Sequence, residues 1–362
     1  MSGPGATAGS TAGSGLVAEV VGPVAEVVVG ATDIAVVVGF LGLFGLVQID
    51  SVEIGDDEAQ HLFGVPAIAD RAVRLAAPAA PGRATVLVVP TLIPGRPTVD
   101  WELGPRALDI YTTDLDRGIA AAAGAGWTVS PEAVLAGGPM RMRQQMVTGP
   151  DGLAVVLVDS THRRSSVCDM ADPPLHSEPH SVVWSVADHA AERERWRVAG
   201  WTAGATIGFS EPSVSDELGL PESPTPITMT MLSDAEVAPI RLELMTFDDH
   251  QPDQPGRPGR PDQHEPGELP DQPDQPGRPG RPDQPEPGEL PSPDATIGGR
   301  RPGAAIAGGL HALVVDVGAV AAAIDAWGDG ATFGTATTDA GGRSLVAGVS
   351  RGGVRFVLRS VG

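Results

Sequence analysis

Asp114 stands thirteen residues before Trp127, Asp188 stands thirteen residues before Trp201, and each tryptophan closes an Ala-Gly-Trp triplet. A second correspondence is independent of the first: Ile240-Arg241-Leu242-Glu243-Leu244 aligns with Val354-Arg355-Phe356-Val357-Leu358. Together they mark one structural unit used more than once in the chain. The unit reads as a β-branched strand, a helix opened by an acidic cap and closed by glycine, and then about three short strands. Val24–Val29 leads into Thr32-Asp33, Ala107–Thr112 into Asp114, Ser181–Val186 into Asp188, and Leu310–Val315 into a helix over Ala319–Trp327. The pattern predicts an α+β chain of four βαβββ modules, at about 16–95, 106–165, 178–247 and 308–362.

The third and fourth modules are separated by sequence of another kind. Asp253–Pro270 and Asp274–Pro291 repeat with a period of 21 residues and differ only at His264 against Pro285. Residues 248–294 carry twelve acidic and four basic side chains and almost no apolar ones. Proline removes backbone donors, and without apolar burial nothing offsets the entropy of ordering, so a disordered linker is expected inside the second half. Residues 1–15, Gly, Ala, Ser and Thr after Met1 with one Pro, are expected to form a disordered tail.

Charge and composition exclude several functions. The formal charge is −22, which opposes phosphate backbones and anionic membrane surfaces, so neither nucleic acid nor membrane is expected as a partner. The uncharged run Ile34–Ile49 is sixteen residues with three glycines, short of the roughly 20 that span a bilayer, and is expected to be a buried helix leading into a strand. The tail lacks the basic start and apolar centre of a secretory signal, and Cys168 is the only cysteine; a cytoplasmic location is expected. There is no phosphate-cradling Gly-Lys-Ser/Thr loop, no Gly-x-Ser-x-Gly elbow and no dinucleotide fingerprint after a strand.

The modules resemble those of the vicinal oxygen chelate superfamily, the glyoxalase, bleomycin-resistance and extradiol-dioxygenase group. The resembling residues are Glu26–Asp33 with Gly42-Leu43, Leu108–Asp114 with Gly126-Trp127, Gly149–Gly152 with Val155–Val158, Ser181–Asp188 with Gly200-Trp201, and His311–Val315. The resemblance implies that modules pair into two curled eight-stranded sheets, each around a cleft. Pairing in chain order, with 16–165 as the first pair and 178–362 as the second, is the expectation; the alternative is that the outer two modules pair, which would bring Glu26 and His311 into one cleft. The resemblance also implies a divalent metal (Fe, Mn, Ni or Zn), held by side chains from the first and last strands, and a small oxygenated organic substrate. The activity implied is that of a lyase, isomerase or ring-cleaving dioxygenase. The alternatives are a metal-free protein that sequesters a small molecule, and a structural partner that uses one degenerate half as an interface. A homodimer is the assembly to look for.

The first-strand ligand position of the family lies seven residues before the capping aspartate. It falls on Glu26, Ala107, Ser181 and His311, although Gly318 replaces the aspartate in the fourth module. His180 lies one residue early and, in a regular strand, faces away. The last-strand position falls near Val88 and on Val156, Glu243 and Val357. Glu243 and His311 are therefore the expected metal ligands, Glu26 a further ligand or base, and Arg241 the group holding an anionic part of the substrate. Arg241 is also two residues from Glu243 on one strand face, about 6.6 Å away, which leaves a plain ion pair as another reading. His61, beside Asp56-Asp57-Glu58, is placed near a cleft mouth.

The linker reading has a direct consequence. Deleting one 21-residue repeat should leave Tm within about 2 °C, because closure entropy varies slowly with the length of a flexible connection. Thermal unfolding of the shortened chain checks this, and a large loss of stability would show that the repeat packs on the modules.

Overall fold

The computed structural model of the chain describes residues 22–54, 62, 71–99, 101–137, 140–233, 240–247, 309–339 and 341–361. The expected tail, the repeat linker and His61 lie outside the described residues. The first module comprises β1 (Val24–Ala31), α1 (Ile34–Gly42), β2 (Val47–Val52), β3 (Ala72–Ala76) and β4 (Thr85–Pro90). The second comprises β5 (Gly104–Thr112), α2 (Leu115–Gly124), β6 (Thr128–Val129), β7 (Ala133–Gly137), β8 (Met140–Thr148) and β9 (Ala154–Ser160). The third has β10 (His176–Ser185), α3 (His189–Val198), β11 (Thr202–Phe209), α4 (Pro212–Glu217), β12 (Ile227–Ser233) and β13 (Arg241–Phe247). The fourth has β14 (Gly309–Val317), α5 (Val320–Trp327), β15 (Ala331–Phe333), β16 (Thr337–Thr338), β17 (Ser344–Ser350) and β18 (Arg355–Ser360).

The helix starts follow from their caps. Asp33, Asp114 and Asp188 have extended backbones, and their carboxylates accept from the amides of Val36, Arg117 and Ala191 at 3.2, 3.0 and 2.9 Å. Such a cap contributes about 1 kcal/mol. In the fourth module the cap is Ala319, one residue later than the sequence spacing places it, and no side chain caps the helix. The uncharged run at Ile34 is α1 continuing into β2, and among the described residues no helix is long and apolar enough to cross a membrane.

The modules pair through their first strands, but not in chain order. One sheet runs β15-β17-β18-β14-β1-β4-β3-β2, joining the first module to the fourth; the other runs β11-β12-β13-β10-β5-β9-β8-β6, joining the second to the third. This corrects the expected pairing of the first module with the second. Each sheet is an eight-strand path with a ninth short strand beside it, β16 on β17 and β7 on β8. The central contacts are antiparallel, β1 with β14 and β5 with β10, whereas each first strand runs parallel to its own module's last strand. A buried ion pair accompanies this pairing. Glu26 of β1 is 2% exposed and meets Arg359 of β18 across the sheet, a partner that only the fourth module supplies. An unpaired carboxylate at that depth costs several kcal/mol.

The helix-bearing faces of both sheets share one core, which holds Val27 and Val29, Leu108 and Ile110, Trp184, Leu313 and Phe356. Trp196 of α3 sits at its centre, with ring centroids 4.7 Å from Trp201, 4.8 Å from Trp327 and 5.7 Å from Phe356. Trp201 is buried, and Trp127, partly buried, packs edge-on against Phe40 of α1 at 5.1 Å. Both tryptophans immediately precede the strand that follows their helix. The Gly149-Pro150-Asp151-Gly152 turn is the other joint. Asp151, at φ 53°, accepts from the amide and hydroxyl of Thr32 at 2.8 and 2.9 Å. A Cβ on Gly149 would lie 2.5 Å from the Phe40 ring, and one on Gly152, at φ +71°, 2.0 Å from the Arg96 backbone.

The fully buried Glu192 ties the third module to the fourth. It accepts from Trp196 Nε1 at 2.9 Å, Arg195 Nη1 at 2.8 Å and the Gly352 amide at 2.9 Å. Glu192→Ala strands the indole and amide donors and should cost about 3 kcal/mol in urea unfolding. Glu192→Gln, which retains an acceptor oxygen, should cost clearly less; equal, negligible costs would show that the joint carries no stability.

Candidate functional site

The outward faces of the sheets differ sharply in chemistry. On the sheet of the first and fourth modules this face is an apolar cluster that includes Val28, Leu87, Val89, Ala312, Val314 and Val357. Its charges are compensated. The Glu26 carboxylate lies against Arg74, accepts from Thr85 Oγ1 at 3.0 Å and meets Arg359 Nη1 at 3.4 Å. Arg359 Nε donates to Asp316 Oδ1 at 2.7 Å. His311 falls at an irregular step in the β1–β14 register, and its ring nitrogens lie 3.2 and 3.4 Å from Arg355 Nη1.

The corresponding face of the second and third modules gathers Asp109 of β5, His180 of β10 and Glu243 of β13. Each is buried, and each offers a ligand atom within 4.8 Å of the others. Glu243 is the residue that the last-strand position singles out. His180 reaches the same face because β10 is bulged: Pro179 pairs with Ile110 and Ser181 with Asp109, so two residues of β10 span one step of β5. Proline supplies no ladder donor and is tolerated at such a bulge. His180 then stacks on Tyr111 with centroids 3.6 Å apart and planes 9° from parallel. The expectation that His180 faces away rests on regular alternation and is corrected by this bulge. So is the grouping of Glu243 with His311, because β13 and β14 belong to different sheets.

Asp109 has no counterpart in the sequence reading. Two residues beyond Ala107, it shares the face of the first-strand position, and a lone carboxylate in Ala107-Leu108-Asp109-Ile110-Tyr111 was the available signal. Glu217 was equally unseen, because α4 carries too few residues to show a helical period. It is 2% exposed, and its Oε2 accepts from Gln144 Nε2 at 2.6 Å.

The electrostatics of the cluster are unbalanced. Burial raises the Asp109 carboxyl well above its ordinary value; Glu243 and Glu217 add to this, while Arg241 opposes it. Burial, with the nearby Arg241 and Arg164, holds His180 well below the usual histidine range, so its imidazole is neutral. Arg241 Nη1 donates to Met231 Sδ at 2.9 Å, and Nη2 reaches Ser181 Oγ at 3.1 Å and Glu243 Oε1 at 3.5 Å. Asp109 Oδ1, His180 Nδ1, Glu217 Oε1 and Arg241 Nε are buried without a partner among the described residues. Buried polar atoms are ordinarily satisfied, so the unpartnered Asp109 Oδ1 and His180 Nδ1 are free to serve as ligand atoms. Two carboxylates and a neutral imidazole suit a borderline divalent cation, and three protein ligands leave positions open to a bound molecule.

Glu217 makes a prediction for the metal-free protein. Burial pushes its pKa up to about 8 from 4.5. Between those values the folded state holds a proton that the unfolded chain has released, so this group's contribution to stability falls as pH rises and levels off above the higher value. Glu217→Gln removes that contribution. Its Tm should match the wild type near about pH 5 and exceed it increasingly toward about pH 8; a constant offset across the range would contradict the burial argument.

No protein-family model matches the chain, and no curated protein matches it in sequence. Solved structures do match it. Glyoxalase I from Zea mays superposes with a TM-score of 0.55 at 12% identity, covering 94% of this chain and 92% of that one. A point mutant of the same enzyme gives 0.56 at 11% identity, with coverages of 94% and 92%. A dioxygenase-like protein from Bacillus subtilis gives 0.51 at 9% identity, covering 94% of this chain and 86% of its own. At such identities the likeness is one of fold. The likeness spans nearly the whole chain and agrees with four βαβββ modules joined through their first strands. On that evidence the chain has the vicinal oxygen chelate fold.

Proposed function

We propose that the cleft of the second and third modules is a metal-dependent catalytic site acting on a small oxygenated organic molecule. Asp109, His180 and Glu243 would hold the metal. The observation that carries this reading is the convergence of these three buried ligands, with Asp109 Oδ1 and His180 Nδ1 left unpartnered. When bound, a divalent ion supplies Lewis-acid polarisation of a substrate oxygen. The chain's own groups do the rest. Arg241, whose Nε is free of partners among the described residues, would hold an anionic part of the substrate. Tyr111 holds the His180 ring by stacking, and its hydroxyl lies 3.5 Å from Arg241 Nη2. The solved structures that superpose over nearly the whole chain include a glyoxalase I, so a lyase or isomerase is one direction and ring-cleaving oxygenation another.

The other cleft is read as metal-free. Glu26 is already compensated by Arg74 and Arg359, and His311 lies against Arg355. Arginines there stand where a cation would otherwise sit.

Calorimetric titration with Mn²⁺, Fe²⁺, Ni²⁺ and Zn²⁺ tests the assignment. The wild type should bind one equivalent; His180→Ala and Asp109→Asn should each weaken binding by at least about tenfold, and His311→Ala should leave it unchanged. Because neutral imidazole and ionised carboxylates are the ligating forms, uptake should fall as pH is lowered. Binding that survives His180→Ala but is lost in His311→Ala would move the site to the other sheet. Negligible binding throughout would favour a metal-free sequestering protein.

A further inference from the structure

The short helix α4 belongs to the third module but packs on the second. Ser213 Oγ accepts from the Val134 amide at 3.2 Å, and Val214 and Leu220 join a cluster with Ala133 and Leu135. This crossing brings Glu217 over the strands that carry Gln144. One carboxyl oxygen is occupied by Gln144 Nε2, and the other, Oε1, is buried without a partner among the described residues. A leucine at this position would leave no oxygen stranded, whereas the carboxyl leaves Oε1 without a partner among the described residues.

The surroundings are as particular as the pair. Gln144 shares its strand face with Met142 and Met146, which pack near Tyr111, Val156 and Val158. On the opposite flank Met229 pairs with Met245, and Met231 pairs with Glu243. Six of the chain's eight methionines thus lie on the strands of this one sheet. On the other sheet the equivalent face is built from Val, Ala and Leu. Thioether side chains are polarisable and adapt to flat or irregular apolar surfaces.

We infer that Glu217, oriented by Gln144, is a specificity-determining residue that hydrogen-bonds a hydroxyl group on the apolar body of the bound molecule. The inference rests on the reading of this cleft as a metal site for small oxygenated compounds. A hydroxyl suits the position because it both donates and accepts, and so pairs with Oε1 whether or not the carboxyl holds a proton. A site built to hydrogen-bond a hydroxyl discriminates against an analogue without it, since its own polar group is then left unpaired. The chemical class is a compact apolar or aromatic compound bearing a chelating oxygen pair and one further hydroxyl.

The test uses full-length, Mn²⁺-loaded protein under nitrogen and three probes: 1,2-dihydroxybenzene, 1,2,3-trihydroxybenzene and 1,2,4-trihydroxybenzene. The wild type should bind at least one trihydroxy probe about fivefold or more tightly than the dihydroxy probe. Glu217→Leu should erase that preference while the protein still binds Mn²⁺ and still binds the dihydroxy probe. Gln144→Met, which keeps the carboxyl but removes its orienting donor, should narrow the preference and serves if the leucine variant does not fold. Equal affinities for the three probes in the wild type, or a preference that persists in both variants, overturns the inference and leaves the metal site standing. Failure of the wild type to bind Mn²⁺ overturns the metal-site reading and the inference with it.

Discussion

The antiparallel contact between β5 and β10 is the constraint on which the candidate site depends. It brings first strands of two modules side by side, so that residues 71 positions apart, Asp109 and His180, share a cleft with Glu243. Its bulge at Pro179-His180 lets consecutive residues of β10 face the same way. A regular ladder would send either His180 or Ser181 to the helix side.

The two sheets show the same architecture with opposite electrostatic solutions. Where the first and fourth modules meet, a buried glutamate is matched by guanidinium groups from β3 and β18, and the remaining surface is aliphatic. Where the second and third meet, the carboxyls Asp109, Glu217 and Glu243 lie near Arg241, and several polar atoms lack partners among the described residues. The first arrangement is compensated by its own arginines; the second gathers buried carboxyls with a neutral imidazole, a group that could hold a cation.

The helix-side core makes the two clefts parts of one molecule. Trp196, Trp327 and Phe356 pack modules three and four together although those modules lie in different sheets. Glu192 joins α3 to the Gly352 turn, and Thr32 joins the first module to Asp151 of the second. Neighbours in the chain therefore meet back to back through helices and turns, while the sheets themselves are made by modules one with four and two with three.

Local chemistry was legible in the sequence. The Asp33, Asp114 and Asp188 caps, the Trp127 and Trp201 positions and the four strand–helix–strand cycles are set by residues close together in the chain, where capping and alternation act over a few positions. Glu243 was also legible, because a carboxylate in Leu242-Glu243-Leu244 breaks an apolar strand at a recurring place. What only the tertiary structure decided is which first strands pair and which side chains then converge. Partner choice rests on contacts between residues far apart in the chain, such as Glu26 with Arg359, and orientation at His180 depends on a bulge that exists only once β5 lies alongside. Neither leaves a periodic trace, because burial energies act on residues brought together from distant parts of the chain.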